Sequence, residues 1–219
     1  MLIPLDDVLF PEDCEVVKMP LHNQHIYLIQ KNGSSSIRYL KRVDDLVSVK
    51  NEELIQLDYV DVYIRNPVDR YVSGANTFLQ YLERDHPELD QATALWFIKQ
   101  FNFLNRHYLP QFHWLLNLSR FIRPDCKIRM RKFSDFAEFV PVVKLPEDVA
   151  DPASDFKKKL LADVGNIEHY FFLDKILLTL SGTELTWKDI IKHYKMQHQD
   201  IYNLVTKNTW AVTNVLSED

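Results

Sequence analysis

The chain has 219 residues, 46% of them hydrophobic and 12% aromatic, which is enough to bury a substantial core within one α/β domain spanning 1–219. Its formal net charge of -5 argues against general nucleic-acid binding, and its two cysteines, Cys14 and Cys126, are too few for a disulfide framework and fit no metal-ligand spacing. No apolar run reaches the roughly 18 residues of a membrane span, and the N-terminal MLIPLDDVLFPEDC carries acids where a signal peptide carries Lys or Arg, so a soluble, cytoplasmic protein with free thiols and no membrane segment is expected.

Residues 1–21 hold Pro4, Pro11 and Pro20 and read as an irregular lead-in or a short edge strand. His25, Ile26, Tyr27, Leu28 and Ile29 then form an apolar, β-rich run that stops at a turn signal, the pattern of a buried strand. Lys31-Asn32-Gly33-Ser34-Ser35-Ser36 follows, and it has two readings. Asn-Gly between apolar runs is a hairpin signal. Alternatively, the serines open a helix with Ile37, Leu40 and Val43 on its inner face, which makes an anion site. There the unpaired N–H groups of the first turn face the ligand, Gly33 permits close approach, and Lys31 supplies charge. The stretch is not a Walker A loop, because its Lys precedes the glycine.

Residues 58–74, DYVDVYIRNPVDRYVSG, bear on the choice. Tyr59, Val60, Val62, Tyr63 and Ile64 predict a strand with Arg65 at its C-terminal end, where open α/β sheets bind ligands. Asn66 is a good N-cap, Pro67 suits the first helical position and Asp69 the third. A helix follows with Val68, Tyr71, Val72, Ala75, Phe78, Leu79 and Leu82 at 3.6-residue spacing, ending near Arg84-Asp85-His86-Pro87. Ser73 lies off the middle of that stripe, able to face the same crevice as Arg65, and the forked guanidinium suits a second phosphate. Two strand-to-helix anion sites in one sheet imply a ligand with two separate phosphate-like groups.

The chain in this region resembles the sulfotransferases that use 3′-phosphoadenosine 5′-phosphosulfate (PAPS). Residues 31–36 are similar to that family's 5′-phosphosulfate loop, PKxGTT or PKxGSS, and Arg65 to Ser73, RNPVDRYVS, to its 3′-phosphate motif, RxPxxxxxS. Arg70 fits the RxPxxRxxS form of the carbohydrate-modifying branch, and Asn105 to Phe112, NRHYLPQF, resembles an (N/D)xHWxPQ segment of that branch. The resemblance covers roughly residues 22–205. It implies a P-loop-NTPase-like domain with a central, mainly parallel sheet flanked by helices. It also implies transfer of a sulfuryl group from PAPS to an acceptor hydroxyl on a carbohydrate, with 3′,5′-adenosine diphosphate as product and no metal. Lys31 would assist the departing sulfuryl group, Asn32, Gly33, Ser34, Ser35 and Ser36 would hold the 5′-phosphate, and Arg65 and Ser73 the 3′-phosphate. His107 is the first choice for a general base, since a neutral imidazole can take the acceptor's proton; Glu52 and Glu53 are the alternatives. The acidic N-terminal stretch departs from the membrane anchor expected of the family's Golgi members, and only 34 positions separate Lys31 from Arg65, short for the family. Two other readings stay open: a nucleotide-kinase-like phosphotransferase and a non-catalytic nucleotide- or glycan-binding relative.

The remaining elements frame this core. A helix over about 91–104 carries Leu95, Trp96, Ile98, Phe101 and Phe103 as core or crevice wall. RFIRPDCKIRMRK (120–132) predicts a strand with Ile128 and Met130 inward and a basic outer wall that either attracts anionic ligands or is solvated. A loop over 146–154 precedes a helix near 156–164. Thr186-Trp187-Lys188-Asp189 is a capping box opening a final helix with Ile190, Ile191, Tyr194, Ile201, Tyr202 and Val205, and 207–219 is a fraying tail.

Overall fold

The structure, a computed structural model, describes residues 14–19, 22–34, 37–38, 46–100, 109–136, 159–162 and 168–197. It is a mixed α/β fold built on one open six-stranded sheet flanked by helices. The strands are β1 (Val16–Met19), β2 (Gln24–Tyr27), β3 (Val47–Val49), β4 (Tyr59–Ile64), β5 (Lys127–Lys132) and β6 (Glu184–Leu185), in the spatial order β3-β1-β2-β4-β5-β6.

The sheet is mixed rather than mainly parallel. β2 with β4 and β4 with β5 pair in parallel, whereas β1 with β2, β1 with β3 and β5 with β6 are antiparallel. The physical reason is connection length: β1 ends at Met19 and β2 begins at Gln24, too short an interval for a crossover. Residues 16–19, placed by sequence in an irregular lead-in or edge strand, therefore lie inside the sheet, with Val16, Val17 and Met19 buried.

The pairings have one consequence for function. Val16 pairs with Tyr27 and also with Val49, and Ile64 pairs with Lys132, so the C-terminal ends of β2, β3, β4 and β5 all reach the same rim. The chain leaves that rim as the Lys31 turn after β2, as helix α1 (Asn51–Leu54) after β3, as Arg65 after β4 and as a 3₁₀ turn (Phe133–Asp135) after β5.

Strand alternation sorts the core onto two faces. Val16, Tyr27, Val60, Val62, Ile64, Ile128 and Met130 pack one face against helices α4 (Gln111–Leu118), α5 (Glu168–Thr179) and α6 (Trp187–Gln197). Val17, Met19, Ile26, Leu28 and Tyr63 pack the other against Ile37 and Phe136. A third cluster joins α2 (Pro67–Asp85) to α3 (Gln91–Gln100) through Tyr71, Ala75, Leu79, Leu95 and Ile98, with Leu160.

Helix α2 starts where its sequence dictates. Pro67 occupies the first turn, and the Asn66 side chain accepts from Val68 N (2.9 Å) and Asp69 N (3.3 Å), a cap worth about 1 kcal/mol. In α6 the expected capping box is present: Thr186 Oγ1 accepts from Asp189 N (3.2 Å) and Asp189 Oδ2 from Thr186 N (3.1 Å).

Two expectations change. Trp96, read as core or crevice wall, is exposed and so not part of the core, because Leu95 and Ile98 take the inward face of α3. The basic wall is partly neutralised: Arg129 and Arg131 both bond to Asp61, buried on the neighbouring strand, at 2.6 and 3.0 Å, and Arg123 pairs with Asp58 and Asp125. Among the described residues no helix is long and apolar enough to cross a membrane.

Candidate functional site

The Lys31 turn is not a hairpin. β2 pairs with β1 and β4, and beyond Gly33 the backbone is helical at Ser34, Ile37 and Arg38, with Ile37 N donating to Gly33 O at 3.1 Å. Ser35 and Ser36 lie outside the described residues, as do His107, Leu40, Val43, Phe101 and Phe103, and the loop expected at 146–154.

The turn is held in an uncommon backbone conformation. Lys31 has φ +67° and Gly33 φ +82°. A left-handed non-glycine residue costs on the order of 1 kcal/mol and persists where its surroundings over-determine it. At Gly33 the need for glycine is doubled, since an added Cβ would stand 2.5 Å from the Phe136 ring. Phe136 in turn packs edge-on against Tyr63, centroids 5.0 Å apart.

What over-determines the turn comes from the second motif. Arg65 Nη1 donates to Lys31 O at 2.8 Å, and Arg70 Nε donates to Gln30 O at 3.1 Å. Lys31 Nζ donates to Thr77 Oγ1. Arg70 and Thr77 are seven positions apart and therefore share one face of α2, and Ser73, between them at +3 and −4, lies on that face. Ser73 is half-buried, and its carbonyl accepts from the Thr77 hydroxyl at 3.2 Å. The structure thus brings Lys31, Asn32, Gly33, Arg65 and Ser73 together at one rim. Ser34 is buried, and the Arg65 guanidinium also lies over the Phe133 ring, 5.2 Å from its centroid.

Behind the two turns lies a buried polar bracket; sequence reading had Gln111 only as part of the NRHYLPQF segment, with no role, and did not identify Asp174. Gln111 Oε1 accepts from Asn32 Nδ2 (2.6 Å) and from Arg65 N (2.9 Å), while Gln111 Nε2 donates to Arg65 O (2.9 Å) and Asp174 Oδ2 (3.0 Å). Asn32 Nδ2 also donates to Tyr63 O at 2.7 Å. Asp174 accepts further from Gln111 N (2.9 Å) and Phe112 N (3.1 Å), so both of its oxygens act as acceptors. Burial raises its pKa, opposed by nearby Arg70 and by these hydrogen bonds. The signal available in sequence was a lone acid in the apolar run Phe171-Phe172-Leu173-Asp174-Lys175-Ile176-Leu177, a pattern that calls for buried partners.

The candidate bases divide. Glu52 and Glu53 are exposed on α1, which opens at the same rim as the Lys31 turn, and Glu53 Oε2 accepts from Lys50 N at 3.4 Å. His113, close in sequence to His107, is buried in α4; burial, and then the like charge of Arg70, depress its pKa from 6.5 to about 4.

Compared with known proteins, the chain matches no protein-family model, and no curated protein or solved structure matches it significantly.

Proposed function

We propose that this chain is a sulfotransferase that moves a sulfuryl group from PAPS to an acceptor hydroxyl on a carbohydrate. The observation that carries the reading is the junction of the two motifs, Arg65 bonded to the Lys31 carbonyl at one rim of the sheet, which sets the Lys31 and Arg65 turns side by side. Strand, glycine turn and helix, beside a parallel strand ending in Arg, form the frame of a P-loop-type nucleotide domain.

In this reading the Gly33 N–H and the hydroxyls of Ser34, Ser35 and Ser36 hold the 5′-phosphate, while Arg65 and Ser73 hold the 3′-phosphate and select PAPS over ATP. As the acceptor oxygen forms its bond to sulfur, the bond from sulfur to the bridging oxygen breaks. Negative charge then grows on the departing 5′-phosphate, where the Lys31 ammonium stabilises the transition state more than the bound donor. The hydroxyl proton passes to a base, with His107, Glu52 and Glu53 as the candidates. The strained φ of Lys31 fits such a role, since strain of this kind gathers at sites that need preorganisation.

The test is transfer of labelled sulfate from PAPS to a panel of oligosaccharides by wild type and by Lys31→Ala. The reading expects sulfated product from wild type and a loss of about a hundredfold or more in the variant, the scale of one removed charge-stabilising group. Wild-type turnover retained in full by Lys31→Ala overturns the role given to Lys31, and absence of transfer to every acceptor overturns the enzyme reading.

A further inference from the structure

Gln111 has both ends of its amide committed, and to both turns at once. Four groups fix its orientation: Oε1 receives Asn32 Nδ2 and Arg65 N, and Nε2 faces Arg65 O and Asp174 Oδ2. With Arg65 the amide exchanges a reciprocal pair of bonds, as a neighbouring strand would, one residue beyond the end of β4 at the rim. Asn32 belongs to the first turn and Arg65 to the second, so one side chain bridges the two from behind, alongside the direct bond from Arg65 to the Lys31 carbonyl. Gln111 is itself fully buried, at the first residue of a helix whose eight residues are all buried, and Asp174 fixes it through both its main-chain N–H and its amide. Arg70, fully buried behind the same turn, faces Asp174 and His113 electrostatically, so the carboxylate that anchors the bracket has a cation to balance it.

We propose that Gln111, anchored by Asp174, is a positioning residue that spaces the two anion-binding turns so that both ends of one nucleotide are gripped together. The proposal rests on the nucleotide reading above and deepens it. A ligand held at two points gains from the second contact only as far as the two sites are rigidly spaced, because looseness lowers the effective concentration of the second end. A ligand held at one point gains nothing from the spacing. Loss of the bracket therefore penalises two-ended ligands selectively.

The experiment is calorimetric titration of the full chain with 3′,5′-adenosine diphosphate and with two one-ended probes, adenosine 5′-monophosphate and adenosine 3′-monophosphate. Wild type is compared with Gln111→Ala and with Gln111→Met, which keeps the side-chain volume and protects the packing of α4. In the variants, affinity for the two-ended ligand is expected to fall about tenfold or more relative to the one-ended probes, the order of one or two lost buried hydrogen bonds. A merely structural role would weaken all three ligands alike, and that result, or unchanged discrimination, overturns the proposal while leaving the nucleotide reading intact. Wild type that does not prefer the two-ended ligand overturns the nucleotide reading, and the spacing role with it.

Discussion

The guanidinium of Arg65 donates to the main-chain carbonyl of Lys31 at 2.8 Å, across 34 positions of sequence. That bond makes Arg65 both a ligand candidate and a structural tie for the Lys31 turn. Arg65→Met removes both, and affinity for 3′,5′-adenosine diphosphate is expected to fall by about 10- to 100-fold, as for one or two lost hydrogen bonds to a charged group. Arg65→Lys restores the charge but not the fork, so it recovers only part of the binding. Calorimetry on both variants checks this; full recovery by Lys would contradict the fork argument.

Gly33→Ala tests the turn itself. The substitution asks an alanine to hold φ +82° and drives its Cβ to 2.5 Å from the Phe136 ring. Combined left-handed strain and overpacking are expected to cost about 2–3 kcal/mol, seen as a lower unfolding midpoint in urea. Pairing it with Phe136→Leu should relieve the clash but not the backbone strain, so recovery is expected to be partial. A Gly33→Ala midpoint equal to wild type would contradict the described turn.

The local signals were legible, and the long-range ones were not. Strand β4, the Asn66 cap, the α2 stripe, inward Ile128 and Met130, and the Thr186 box each follow from a period or a cap that acts within a few residues. The inclusion of Val16–Met19 in the sheet depends on pairing with two other strands, which no window of sequence contains. The same holds for Asp61, whose acidic side chain interrupts the apolar character of β4 and is explained only by Arg129 and Arg131 on the next strand. Within the candidate site, Lys31, Gly33, Arg65 and Ser73 announced themselves by motif; Gln111 stood in the quoted NRHYLPQF segment without a role, and Asp174, which holds it from behind, stood in none.

Asp61 gives a third prediction. It is fully buried while its partners Arg129 and Arg131 reach solvent, so Asp61→Ala leaves cations that can partly rehydrate, at a cost of about 2 kcal/mol rather than the larger loss of a sealed pair. Exposed Arg84 and Asp85 also pair, and Asp85→Ala is expected to leave the unfolding midpoint unchanged. Equal effects of the two substitutions would contradict the burial argument.

His113 gives the fold a pH dependence. Its folded pKa is lowered from 6.5 to about 4, by burial first and then by Arg70, so between those values the unfolded chain holds more protons than the folded one. The contribution is fully present above about 6.5 and is lost as pH falls through about 4, a total of about 3 kcal/mol. Asp174, with its pKa raised by burial, acts in the opposite sense. The His113 part is therefore read as the difference between wild type and His113→Asn in urea unfolding from pH 7 to pH 4, and the variant is expected to show the shallower acid loss. Parallel slopes would contradict the depressed pKa.

The central claim is that one pocket at the shared rim grips a nucleotide by both phosphate ends. Its most direct measurement is calorimetric titration of the wild-type chain with 3′,5′-adenosine diphosphate and, in parallel, with ATP and Mg²⁺. The account predicts at least about tenfold tighter binding of the 3′,5′-nucleotide, the weight of one charge-assisted phosphate contact that ATP cannot make. Equal affinities, or tighter binding of ATP, would contradict it.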